Sequence, residues 1–488
     1  MELLDRDLVS VQEVRTLIRK ATAAQQVLAD YSQAQVDALV DAMARAGQTH
    51  ARRLAEMAVE ETGFGKVQDK ITKNMLASKI LLDSIKGMKT IGMISDDQSR
   101  KVMEVAVPFG IVAGLVPSTN PTSTTIYKAI ISIKAGNAVI FSPHPSALKC
   151  ITETVRILRE ALVSLGAPEE LISVMSVPTL EGTSELMKNP GTGIILATGG
   201  SAMVKAAYSS GNPALGVGPG NVPAFIERTA DIKKAVHHVI TSKTFDNGTI
   251  CASEQHVVTE HAIADQVKAE MIAQGCYFLS EAEIAKVEKV IVNQRGGLNA
   301  GIVGKPAVEI ARMAGLDVPA TTRVLVGEQG RNNVGKKYPF SWEKLSPLLG
   351  FYRVSDAHDA CELCMELLHF EGAGHTLAIH TQNDALVREF ALKKPVSRLV
   401  VNTPSTHGGV GATTNLAPAF TLGCGSVGGS ATSDNVTPLN LFTKRYVAYG
   451  VIEPEALAQP EGQPVACTTA NVDIEAITRL VIERLKSL

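Results

Sequence analysis

Residues 108–124 read PFGIVAGLVPSTNPTST, a strand-sized apolar run that breaks at Pro117 and leads into a helical pattern over 125–135. The same grammar repeats downstream. NAVIF (137–141) precedes a helical pattern over 147–165, LISVMSV (171–177) one over 181–188, and GIILAT (193–198) one over 201–209. Short apolar runs that end at Gly, Pro or Ser and alternate with amphipathic helices build crossover units, hence a parallel sheet covered on both faces. The fold class is therefore α/β, with a doubly wound nucleotide-binding domain.

A second alternating region begins near Val222, with strands expected at VPAFI (222–226), QHVVT (255–259), RVLVG (323–327) and RLVVN (398–402) and helices over 232–241 and 262–274. Upstream of residue 108 the pattern is helical. Val14, Leu17, Ile18 and Ala21 recur at helical spacing, and Ser32 with Gln35 forms a capping box before Val36, Leu39, Val40 and Met43. The glycine-rich stretches GGVG (408–411) and GCGSVGG (423–429) read either as backbone brought close to a ligand or another chain, or as simple loop turns. Beyond Tyr449 a stretch rich in Pro, Gln, Ala and Glu reads as a linker. It leads to DIEAITRLVIERLKSL (473–488), in which Asp473 can cap a helix striped by Ile474, Ile477, Val481 and Leu485.

Composition narrows the function. With 488 residues, 45% of them hydrophobic and 20% charged, the chain supports two or three globular domains. Its 47 Lys and Arg against 49 Asp and Glu give a net charge of -2 without a basic run, which leaves no electrostatic footprint for nucleic acid or an anionic membrane. No apolar run approaches the ~18–20 residues of a membrane span, and the first residues carry acids where a signal peptide carries bases. A cytoplasmic protein with a small-molecule substrate is expected. Seven cysteines, an odd number scattered over the chain, do not form a disulfide framework. Cys361 and Cys364 share a CxxC spacing inside an expected helix (357–370) with no second pair, so packing is the better reading than zinc, and no metal is expected.

Three segments carry chemistry. FDNGTICASEQ (245–255) places Cys251 on a glycine-containing polar loop, a setting suited to a nucleophile. Asn120 stands where the first strand of the sheet enters its helix. Its amide can donate to the oxyanion that a thiolate creates on attacking a carbonyl, or it can simply cap the helix. Thr198, Gly199 and Gly200 end the strand in GIILATGG (193–200) and open a helix, where backbone amides can approach a pyrophosphate; tight strand-to-helix turns also use glycine for steric reasons alone.

In this order and spacing the three segments resemble the aldehyde dehydrogenase superfamily over roughly residues 10–450. The resemblance implies a Rossmann-type cofactor domain with the N-terminal helices (1–220), a second α/β catalytic domain carrying the nucleophile (221–432), a small oligomerisation element (433–450), a linker (451–472) and the terminal helix (473–488). It makes Cys251 the nucleophile and Asn120 the oxyanion donor. It assigns the NAD site to Pro117, Ser118, Thr119, Ser142, Pro143, His144, Thr198, Gly199, Gly200 and Gly218. Glu343, in SWEKLSPLLG, falls on the family's Glu-x-Phe-Gly-Pro segment, whose carboxylate holds the nicotinamide ribose; Leu345 and Ser346 replace the Phe and Gly.

Two departures point to one branch. VGPGN (217–221) puts Val217 where hydrolytic members carry the glutamate that activates water, and SPHP (142–145) puts Ser142 at the position of a ribose-binding lysine. Valine has neither lone pair nor proton for that task. A thiol near pKa 8.5 is already several per cent thiolate at neutral pH while water lies near 15.7, so the change hinders hydrolysis far more than transfer to a thiol. With GAGHT (372–376) and TLGCGSVGGS (421–430), these features resemble the coenzyme A-acylating branch of bifunctional alcohol–aldehyde enzymes and microcompartment aldehyde dehydrogenases.

The implied activity is oxidation of a short aliphatic aldehyde, with NAD as cofactor and coenzyme A as co-substrate, through a Cys251 thioester. His375 is a candidate for deprotonating the incoming thiol or positioning the cofactor, with a structural histidine as the alternative. Also open are a hydrolytic enzyme whose base lies elsewhere, for example Glu254, and a non-catalytic NAD-binding scaffold. The resemblance implies a homodimer or homotetramer. The terminal helix resembles encapsulation peptides of bacterial microcompartments, against the alternative of docking on its own protein.

Overall fold

The computed structural model describes residues 5–457 and 474–486. Two compact units divide the chain: residues 1–94 with 105–445, and residues 95–104 with 446–488.

The larger unit begins with helices Arg6–Ala29 and Gln33–Thr49. The expected capping box forms: the Ser32 side chain accepts from the Gln35 N–H while the Ser32 N–H donates to Gln35 Oε1 at 2.9 Å. Val14, Ile18 and Ala21 of the first helix, and Val36, Leu39, Val40 and Met43 of the second, are buried as their spacing requires.

Strands β1 (Met93–Asp97) and β2 (Val102–Pro108) precede the first large sheet. That sheet consists of β3 (Ile111–Val116), β4 (Ala138–Pro143), β5 (Ile172–Val174), β6 (Ile194–Thr198) and β7 (Ala214–Val217), all parallel, in the order β5-β4-β3-β6-β7. The order reverses between β3 and β6, the switch point at which such sheets bind ligands. The helix after β3 starts at Pro121, earlier than the apolar pattern indicated, because proline at the first turn has no N–H to satisfy. LISVMSV yields only the three residues of β5. Its far end leaves the sheet because the Glu13 carboxylate takes the N–H groups of Ser176 (2.8 Å) and Val177 (3.1 Å).

Four residues after β7 the second sheet begins. Its strands β8 (Val222–Ile226), β9 (Glu254–Glu260), β10 (Cys276–Phe278), β11 (Val324–Gln329), β12 (Leu348–Val354), β13 (Gly374–His380) and β14 (Val396–Val401) run parallel in the order β10-β11-β12-β9-β8-β13-β14. Strands β10, β12 and β13 are additions to the sequence reading. The glycine-rich stretch brings backbone close to the chain's own backbone: a Cβ on Gly428 would stand 2.5 Å from the Ala373 carbonyl oxygen. Cys361 and Cys364 lie on helix Ala357–Phe370, buried in a core with Phe225, Tyr352 and Leu377.

A last strand, β15 (Phe442–Ala448), forms a three-stranded sheet with β1 and β2. In the smaller unit the Tyr449 N–H donates to the Lys101 carbonyl at 3.1 Å, and a helix spans Ile474–Lys486. Cys467, the cap Asp473, residues 458–472 of the expected linker and the side chains of Ile474, Ile477 and Val481 lie outside the described residues. Among the described residues no helix is long and apolar enough to cross a membrane, and no group of three or more His, Cys, Asp or Glu side chains is placed to hold a metal ion.

Candidate active site

A cavity of about 500 Å³ opens at the carboxyl ends of β3, β4 and β6. Its wall contains Cys251, Asn120, Pro117, Ser118, Thr119, Ser142, Pro143, His144, Thr198, Gly199, Gly200, Gly218 and Glu343, together with Val217. One candidate stays outside. His375 is fully buried behind Gly220, with Nδ1 2.9 Å from Thr376 Oγ1 and Nε2 without a partner.

The loop bearing Cys251 is held in an unusual shape. Asp246 (φ 50°), Asn247 (φ 51°) and Gly248 (φ 79°) are successive left-handed residues just before Cys251. Non-glycine residues enter that region rarely and at a cost of about 1–3 kcal/mol each, so surrounding contacts must enforce it. They do. Asp246 Oδ1 accepts the Lys66 N–H at 2.7 Å, the Asp246 N–H donates to Asp69 at 2.7 Å, and the Asn247 amide donates to the Gly304 carbonyl at 2.9 Å. Gly220 lets the strand-to-strand junction press against the nucleophile: a Cβ there would stand 1.8 Å from the Cys251 carbonyl oxygen and 3.3 Å from His375 Nδ1.

Asn120 occupies the N-cap position of helix Pro121–Lys134, yet its side chain makes no capping bond. Its Oδ1 accepts from Lys73 Nζ at 2.6 Å and its Nδ2 donates to Thr119 Oγ1 at 3.2 Å, which leaves one N–H of the amide without an acceptor among the described residues. The capping alternative is thereby displaced.

The dinucleotide turn fits a phosphate. Gly200 caps helix Ser201–Tyr208 without a side-chain bond, and a Cβ on Gly200 or Gly218 would meet nothing within 4 Å, so the protein's own packing does not demand these glycines. Thr198 Oγ1 is buried without a partner. Open space over free amides and an unsatisfied hydroxyl suits a bound pyrophosphate. At the ribose end Ser142 Oγ lies 2.8 Å from Thr183 Oγ1, and His144 Nδ1 accepts the Ser146 N–H at 3.2 Å. Among the described residues no lysine or arginine lines the cavity.

Burial raises the thiol and the carboxyl groups around it. Desolvation, then the Glu343 carboxylate and Cys424, push the Cys251 thiol up to about 12, with Arg398 opposing. Burial, then Glu371, raise Glu343 to about 8, against the Gly220 N–H that donates to its Oε1 at 2.9 Å. Burial, then Arg398, hold His375 well below the usual imidazole range, so it stays uncharged. Glu254 does not line the cavity; burial raises it to about 7, and its Oε1 accepts the Ser405 N–H at 2.8 Å. It therefore does not serve as the alternative base. Sequence reading missed Lys73 and Asp246, which no local pattern marks as partners of Asn120.

Cys251, Asn120 and the Thr198–Gly200 turn line one cavity, and a thiol and an amide donor facing one space can in principle capture a carbonyl carbon on sulfur. The chain belongs to the aldehyde dehydrogenase family, whose description matches residues 4–275. It is 45% identical over 444 residues to the bifunctional aldehyde-alcohol dehydrogenase of Escherichia coli, an alignment covering 90% of this chain and 50% of that protein. The chain thus spans about half the length of that relative. The solved acetylating aldehyde dehydrogenase of Geobacillus thermoglucosidasius is 52% identical with a TM-score of 0.91, covering 92% of this chain and 99% of that one. The propionaldehyde dehydrogenase from the fucose utilisation microcompartment of Clostridium phytofermentans is 31% identical with a TM-score of 0.81, covering 89% and 97%.

The thiol's environment gives a pH test. Below about pH 8 Glu343 is neutral, and Glu343→Gln is expected to leave the rate of Cys251 alkylation by iodoacetamide nearly unchanged. Above it the ionised carboxylate opposes the thiolate, and the variant is expected to alkylate several-fold faster. Equal rates at pH 9 would show that Glu343 does not act on the thiol.

Proposed function

We propose that this protein oxidises a short aliphatic aldehyde with NAD+ and coenzyme A, giving the acyl-CoA thioester, NADH and a proton. The observation that carries the reading is Val217 in the cavity wall with Cys251, a side chain unable to activate water.

In this reading Cys251, as thiolate, adds to the aldehyde carbon. The oxygen becomes an oxyanion held by the Cys251 main-chain N–H and the free N–H of Asn120. Bound NAD+ supplies the acceptor for the hydride that leaves the tetrahedral carbon. Cys251 then carries the acyl group as a thioester and is expelled as thiolate when a thiol takes that group over. Thr198, Gly199, Gly200 and Gly218 would hold the dinucleotide phosphates, with Pro117, Ser118, Thr119, Ser142, Pro143 and His144 along the rest of the cofactor site, and the Glu343 carboxyl would hold the nicotinamide ribose. His375, neutral and one residue removed from the cavity, supports the Gly220–Cys251 contact.

A second reading rests on Glu343, the carboxylate in the wall with Cys251, acting as a hydrolytic base. The deciding experiment is NADH formation from propionaldehyde with and without coenzyme A, with Cys251→Ala as the inactive control. About one turnover per site without coenzyme A and sustained turnover with it is expected. Sustained release of free acid without coenzyme A would favour hydrolysis.

Because the wall has no lysine or arginine, a 2′-phosphate on the cofactor would go unpaired. Preference for NAD+ over NADP+ of roughly tenfold or more in kcat/KM is expected, the worth of one hydrogen bond to a charged group at about 1.5–3 kcal/mol. Equal use of both cofactors would remove the assignment.

The strand β15 exposes six of its seven residues, which supports a homodimer or homotetramer formed through it. Helix Ile474–Lys486, with Ile482 and Leu485 exposed, supports delivery to a bacterial microcompartment, as the origin of the Clostridium relative suggests. Truncation after Glu453 is expected to leave the oligomer intact in light scattering and to abolish co-purification with shells. Shells that still retain the truncated enzyme would refute the targeting role.

A further inference from the structure

We propose that Lys73 is a positioning residue for the reaction: it fixes the amide of Asn120 in the one orientation that donates to the oxyanion and ties that donor to the nucleophile loop. The inference rests on the reading of Asn120 as oxyanion donor, and the test below separates the two.

Lys73 lies on helix Val67–Met75, which continues through a π-helical turn at Leu76–Ile80 into Leu81–Ile85. Its ammonium is buried and reaches three places at once. It donates to Asn120 Oδ1 at 2.6 Å, to the Thr249 carbonyl at 3.2 Å and to the Asp246 carboxylate. An ammonium has three N–H donors and no acceptor, so it is fully used here. It also decides the amide's orientation. If Asn120 turned over, its NH₂ would face the ammonium, donor against donor, so the carbonyl must point at Lys73 and the NH₂ away from it.

Thr249 stands two residues before Cys251, so a single Nζ bridges the donor and the loop bearing the nucleophile. Asp246 anchors the ammonium, and Lys70 makes the arrangement rigid by donating to Asp246 Oδ2 at 2.9 Å and to the Thr119 carbonyl at 3.0 Å. Space is exhausted on the far side: a Cβ on Gly65 would stand 1.9 Å from Asp246 Oδ1. A charge-assisted bond at the amide oxygen also polarises the opposite N–H, which strengthens its donation to a developing negative charge.

The test is a double-mutant cycle on NADH formation with saturating aldehyde and coenzyme A. Asn120→Ala alone is expected to lower kcat about 10²–10³-fold, as loss of one oxyanion donor does; no loss there would overturn the oxyanion reading itself. Lys73→Met keeps Lys70 as the partner of Asp246. It is expected to lower kcat at least roughly tenfold with the KM for NAD+ unchanged, and to cost little further when Asn120 is already alanine, because residues that act as a unit are not additive. An equal factor in both backgrounds, or no loss in the wild-type background, overturns the proposal. Should Lys73→Met not fold by thermal melting, Asp246→Asn, which leaves Lys73 in place without its anchor, is read in the same cycle: coupling to Asn120 supports the proposal and additivity overturns it.

Discussion

Between Val217 and Val222 the chain crosses from one parallel sheet to the other in four residues, and the shape of the candidate site depends on how tightly that crossing lies against Cys251. Gly220 is the point of contact, where the Cys251 carbonyl oxygen occupies the space a Cβ would take. The same residue donates its N–H to Glu343 and backs onto the His375 ring. A junction this short places the amide donors at the carboxyl ends of the first sheet opposite a thiol that precedes a strand of the second. Neither sheet alone contains a reaction centre.

On the Cys251 side, charge adds rigidity to the apolar packing of Ile250 and Ala252. Asp246 is enclosed by the protein, and burial works against its charge, but the Lys73 and Lys70 ammonium groups win and hold its carboxyl below the usual range. Removing one member of such a cluster leaves a buried charge short of a partner, which is why the left-handed run Asp246–Asn247–Gly248 persists. The strain stays because the lysines, Lys66 and Gly65 leave the loop nowhere else to go.

Strands β3, β4, β5 and β6 of the first sheet were legible because each falls in a largely apolar run closed by a turn residue; the four residues of β7 (Ala214–Val217) carry too short a run and were not expected as a strand. Of the cavity wall, Cys251, Asn120 and Thr198–Gly200 were marked by their own segments, and the other residues by the family resemblance. Strand β13 failed the apolar-run test. GHTLAIH is buried throughout, but His375, Thr376 and His380 interrupt the apolar pattern; Thr376 Oγ1 accepts from Arg398 Nε at 3.3 Å, while Nε2 of both histidines is buried without a partner among the described residues. Strand β12 was hidden by Gly350 and Arg353 in LLGFYRV, the arginine being paired with Glu328 and Asp265. Lys73 and Asp246, 173 residues apart, had no local signature of any kind. Periodicity records burial and misses pairing across the fold.

The placement of positive charge follows from the chemistry of aldehydes. A primary amine exposed to an aldehyde condenses to a Schiff base, and one with a lowered pKa does so fastest because more of it is unprotonated. Lys73 is such an amine, drawn down to about 8 by burial against the pull of Asp246. In the cavity wall it would compete with Cys251 for substrate. Set behind Asn120 with all its hydrogens engaged, it can act on the carbonyl oxygen only through the amide. In the proposed reaction the described wall, free of lysine, and the buried lysine just beyond it serve one requirement: positive potential at the oxygen, and no competing nucleophile at the carbon.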